Sequence, residues 1–130
     1  MTADELRTIL GMALRLARAD KNVAELEQEI LDGFSSALGL SDEERAAIAD
    51  EQIQPADAVA RLSSGEAREF LMKSLCAVAF ADGLRHDSEI ELIAQTHELV
   101  GGSVSLKPWE EWESYVEEVI DTLLQFSPGG

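Results

Sequence analysis

Four carboxylates in this chain fall into two pairs with one spacing. Asp20, in Ala19-Asp20, is followed seven residues later by Glu27, and Asp82, in Ala81-Asp82, is followed seven residues later by Glu89. In each copy an apolar helical run ends at Ala-Asp and a short polar turn follows. The Glu then opens a second apolar run, marked by Ile30-Leu31 in the first copy and Leu92-Ile93 in the second. Oxygen donors at a turn suit a hard cation, so Mg²⁺, Ca²⁺ or Mn²⁺ is expected over Zn²⁺. Neither copy is an EF-hand, because the loops lack alternating Asp/Asn ligands and a Glu at the twelfth position. Repetition of the whole unit indicates internal duplication.

The elements that must position these acids read as helices almost throughout. Thr2-Ala3-Asp4-Glu5 has the form of a capping box, and Leu6, Ile9, Leu10, Ala13, Leu16 and Ala17 follow at helical spacing. A second helix carries Ile30, Leu31, Phe34 and Leu38 and stops at Gly39. Ser41-Asp42-Glu43-Glu44 opens a short helix through Ala49, and Pro55 begins another bearing Val59 and Leu62. Ser63-Ser64-Gly65-Glu66 caps a long helix with Phe70, Leu71, Leu75 and Val78 that closes at Gly83. Its partner starts at Asp87 or Ser88 and runs to Val100, before Gly101-Gly102. Pro108 starts a last helix from Trp109 to about Phe126, with Trp112, Val116, Val119, Leu123 and Phe126 in one stripe. No segment alternates as a half-buried strand does. The expected fold is all-α, a bundle of about seven helices in one domain over 1–130. Repeat 1 covers about 4–50, repeat 2 about 64–102, and the C-terminal helix about 108–126.

Extending the apolar stripes locates the acids. The first helix's stripe continues onto Asp20 and the long helix's stripe onto Asp82, while Glu27 and Glu89 are in register with the apolar faces that follow them. All four are therefore expected at the edge of the core. An unpaired charge there costs several kcal/mol and must be paired, protonated or bound. The Asp residues sit in a last helical turn, where the helix dipole disfavours them, and the Glu residues in a first turn, where it helps. Two readings stand. Asp20 and Asp82 can accept backbone N–H groups as Asx-type clips that fix the hairpins. Alternatively, Asp20, Glu27, Asp82 and Glu89 hold a divalent cation.

Charge and composition restrict the partners. Net charge is −16, from 26 acids against 10 bases, which opposes binding to nucleic acid or to an anionic membrane. From His86 to Gly130 the only Lys or Arg is Lys107, set against ten acids. Such a surface suits cations or a basic protein partner. One Cys, Cys76, excludes an internal disulfide and points to a reducing compartment; with no signal-peptide pattern and no run of about 20 apolar residues, the chain reads as cytoplasmic. Enzymatic activity is not expected, for no phosphate loop, nucleophile elbow or His-Glu-x-x-His helix is present. His86 could complete a transition-metal site, although an exposed loop histidine is the simpler reading. Cys76 reads as a buried thiol, Trp112 as a core residue and Trp109 as its margin.

The string Ala77-Val78-Ala79-Phe80-Ala81-Asp82-Gly83, followed by Glu89 and an apolar helix, closely resembles the TerB-like (tellurite resistance protein B) family. Members carry this turn and its downstream Glu twice, and the resemblance runs from about Leu6 to Val100. It implies two pseudo-symmetric helical halves, an acidic surface, a suspected metal-binding role at Asp20, Glu27, Asp82 and Glu89, and a part in tellurite and chemical stress responses. Members occur alone or fused to other modules, including J-domain proteins. Lys21 stands where the family usually has Gly, and Arg85 where it tends to have an aliphatic residue. The positive charge of Lys21 beside Asp20 makes the copies unequal, and if only one half binds an ion, Asp82 and Glu89 are the expected site. The resulting expectation is a non-enzymatic, cation-responsive interaction module. Its alternative is an acidic scaffold for a basic partner, with the four acids as internal clips.

Overall fold

Helix signals in the sequence translate into seven α-helices among the described residues of a computed structural model, which are 1–17, 25–81, 87–101 and 104–126. In chain order they are α1 (Ala3–Ala17), α2 (Glu25–Leu38), α3 (Asp42–Glu51), α4 (Pro55–Arg61), α5 (Gly65–Ala81), α6 (Asp87–Val100) and α7 (Glu113–Gln125). A 3₁₀ turn at Trp109–Glu111 precedes α7, and no strand occurs among the described residues.

Local chemistry explains the helix ends. Thr2 and Glu5 form the expected reciprocal box: Glu5 N–H donates to Thr2 Oγ1 at 3.1 Å and Thr2 N–H to Glu5 Oε1 at 3.0 Å. Ser41 and Glu44 do the same for α3. Ser64 Oγ accepts from Ala67 N–H at 3.1 Å, opening α5. Gly39, just past α2, has φ of +65°, a left-handed value that glycine adopts without a Cβ penalty.

Helix α5 lies at the centre, touching α1, α2, α6 and α7. It is buried on nearly every face, from Ala67, Phe70, Leu71 and Met72 through the unbroken run Ser74 to Ala79. A helix that is apolar all round belongs inside. Helix α1 is similarly enclosed and packs against α2, α3, α4 and α5. Ile48 and Ile53 pack over its Gly11, where a Cβ would stand in ordinary contact, 3.4 Å from Ile53 Cγ2. Arg15 Nη1 then donates to the Ile53 carbonyl at 2.8 Å, holding the α3–α4 link against α1. Phe34 of α2 and Phe70 of α5 meet with ring centroids 6.0 Å apart. Each fully buried Leu or Phe contributes about 1.5–3 kcal/mol by leaving water.

The C-terminal region departs from the continuous helix expected from Trp109 to Phe126. The chain makes a 3₁₀ turn at Trp109–Glu111 and starts α7 only at Glu113. Trp112 Nε1 donates to the Lys107 carbonyl at 2.6 Å, and Lys107 N–H donates to the Tyr115 hydroxyl at 3.0 Å, so the turn is tied back onto its own approach. Trp112 is buried and Trp109 half-buried, its ring packed at tilted angles against Phe80 and Trp112 with centroids 5.9 and 4.9 Å away. No helix among the described residues is long and apolar enough to cross a membrane.

Candidate functional site: two buried glutamates at helix N-termini

Glu27 is the third residue of α2 and Glu89 the third residue of α6, and both helices are 14 residues long. Glu27 lies on the face that buries Ile30, Leu31 and Phe34, while Glu89 lies on the face that buries Ile93, Thr96 and Val100. The stripes placed them at the edge of the core. The structure puts them inside it, at 0% and 1% exposure. Their helical register accounts for this, since each precedes its apolar neighbours by whole turns and is drawn inward with them. Positions in a first turn also set both carboxylates near the positive end of a helix dipole. Neither stands as an isolated charge.

Asp20 and Asp82, with Lys21, Arg85 and His86, fall outside the described residues. Two of the four acids expected to act together are thus placed and two are not. Among the described residues no group of three or more His, Cys, Asp or Glu side chains is gathered as a metal site would require. In donor type the placed residues fit a hard cation: both are carboxylates shielded from water.

A third buried carboxylate escaped the sequence reading in its tertiary role. Glu5, 6% exposed, accepts from Thr2 N–H through Oε1 and from Ser63 N–H, 58 residues away, through Oε2 at 3.2 Å. The Thr2 bond, with that from Ser63, holds its carboxyl below the ordinary Glu range against the opposing effect of burial. The capping-box pattern revealed the local bond; nothing local could reveal the distant one. Elsewhere, Asp32 receives Arg45 Nη1 at 2.7 Å, which lowers its carboxyl's pKa.

Cys76 is fully buried, and burial pushes its thiol up to about 12, as expected of an inert core thiol. His97 lies on α6 with Nε2 2.6 Å from the Val104 carbonyl, bracing the segment after the helix. No family model, curated protein or solved structure matches this chain.

Proposed function

We propose that this protein is a non-enzymatic, acidic interaction module, resembling TerB, in which a divalent cation at the two Ala-Asp turns sets the adjoining helices for a protein partner. The observation that carries the reading is the equivalent burial of Glu27 and Glu89 at the third position of equal-length helices. A charge removed from water in one copy could be incidental; the same charge removed at the same helical position in both copies argues for a shared requirement. Under this reading α1–α2 and α5–α6 are two copies of one pseudo-symmetric unit. Glu27 with Asp20, and Glu89 with Asp82, supply the oxygen donors. The ion supplies positive charge that offsets their repulsion and fixes the angle at which each helix pair leaves its turn. Lys21 weakens the first site, so Asp82 and Glu89 carry the stronger one. A cytoplasmic setting and a role in chemical stress complete the proposal.

A specific observation favours a second reading, in which the acids are clips and the protein is a scaffold for a basic partner. Glu5 already demonstrates a buried carboxylate in this fold that joins two distant segments through backbone N–H groups. Thermal denaturation with Mg²⁺, Ca²⁺, Mn²⁺ and Zn²⁺ separates the readings. An ion at 100 times its Kd adds about 2.7 kcal/mol, which for 130 residues raises Tm by about 10 °C. Cation binding predicts that shift in the wild type and its loss in Asp82→Asn and Glu89→Gln. Clips predict variants that are destabilised equally with and without ions, and no shift in the wild type.

A further inference from the structure

The most exposed large apolar side chain among the described residues is Leu124, at 79%, and it does not stand alone. It overlooks a groove of about 720 Å³ between α2 and α7, floored by Gly33, Ala37, Ile120, Leu123 and Phe126. Gly33 shapes that floor: a Cβ there would come within 3.1 Å of Leu123 Cδ1, so the glycine lets α7 lie close against α2. The walls have a different character. On α2, the exposed acids Glu29 and Asp32 line the groove, and exposed Glu25 stands one turn before Glu29 outside the lining. On α7, exposed Glu117 and Asp121 lie outside the lining, on the same helix face as Leu124, seven and three residues before it. No base lines the groove among the described residues. Arg45, which reaches Asp32, is already held there at 2.7 Å.

We infer that this groove receives a short amphipathic helix from a partner protein, with apolar anchors on one face and Lys or Arg on its flanks. An apolar trough between two helical ridges is the shape that takes a third helix through anchors at i, i+3 or i+4, and i+7. The acidic walls select the flanks. A second copy of this chain would set like-charged walls against each other, and a nucleic-acid backbone or anionic lipid surface would meet the same repulsion. A basic helix gains on both counts, burying Leu124 and Phe126 while its cations meet Glu29 and the exposed acids beside the groove. The inference goes beyond the cation proposal and does not depend on it, because neither Glu27 nor Glu89 lines the groove.

The test is fluorescence anisotropy in about 0.15 M salt with EDTA present, which removes any contribution from a bound ion. Three labelled peptides of equal length serve as probes: an amphipathic Leu/Lys helix, a scrambled peptide of the same composition, and a Leu/Glu helix. The Leu/Lys helix should bind with a roughly micromolar Kd and the scrambled peptide at least about tenfold more weakly. Leu124→Gln, at an exposed position that leaves the core intact, should weaken binding about fivefold or more, and Glu29→Lys about tenfold, whereas Glu43→Lys on α3, with the same charge change, should alter it less than about twofold. Equal binding of the scrambled peptide would reduce the effect to bulk charge and overturn the proposal. So would unaltered binding by Leu124→Gln, or tight binding of the Leu/Glu helix. A wild-type dimer abolished by Leu124→Gln in sedimentation would assign the face to a second copy instead.

Discussion

Replacing Glu5 by Gln removes one oxygen from a carboxylate that uses both. In the wild type Oε1 accepts from Thr2 N–H at 3.0 Å and Oε2 from Ser63 N–H at 3.2 Å, in a side chain 6% exposed. The amide retains one acceptor and turns an NH₂ group toward the other backbone donor, so one bond is lost and the survivor is no longer charge-assisted. A hydrogen bond to a charged group contributes about 1.5–3 kcal/mol, and the partial access of water to the Ser63 amide argues for the lower half of that range. The expected loss is about 2 kcal/mol, which for a chain of 130 residues lowers Tm by about 7 °C. The pH dependence gives a second reading of the same bond. The native pKa of Glu5 lies below its ordinary 4.5, first because of the Thr2 bond and then the Ser63 bond. As pH falls, the unfolded chain therefore takes up the proton before the native one does. The wild-type advantage is full above about 4.5 and disappears as pH drops through the lower native value. Urea titrations at pH 7 and pH 3 measure both effects. A Glu5→Gln variant as stable as the wild type at pH 7, or one whose deficit persists undiminished at pH 3, would refute this account of Glu5.

Two further outcomes follow from single residues. The Cys76 thiol, fully buried with its pKa pushed up to about 12, should resist a disulfide reagent at pH 8 in the native protein and react only as urea unfolds it; fast stoichiometric labelling of the native state would contradict this placement. Gly39→Ala should cost about 1 kcal/mol, because φ is +65° and no atom lies within 4 Å of the added methyl, leaving backbone strain as the whole penalty. An unchanged urea midpoint would show that α2 ends differently.

Helix existence was legible because it is specified locally. Thr2 with Glu5, Ser41 with Glu44, Pro55, Gly39 and Gly101 each signal an end within a few residues, and each end lies where its signal stands. The break at Trp112 was not legible, since the stripe Trp112-Val116-Val119-Leu123 is helical in period and the turn depends on bonds among Trp112, Lys107 and Tyr115 that periodicity does not encode. Periodicity turned Glu27 and Glu89 inward but underestimated their depth, because depth is set by what packs over a face as well as by the face itself. For the same reason the Glu5–Ser63 bond and the α2–α7 groove had no sequence signal beyond Leu124 lying off its helix's apolar stripe. Both join residues far apart in the chain.

Calorimetric titration of Mg²⁺, Ca²⁺ and Mn²⁺ into metal-free protein tests directly whether the buried glutamates serve a cation. Wild-type protein should bind saturably, with affinity weakened about tenfold or more by Glu89→Gln and less by Glu27→Gln, since Lys21 already weakens the first turn. An absence of binding for all three ions, or an affinity unchanged by Glu89→Gln in a variant that remains folded, would contradict that role.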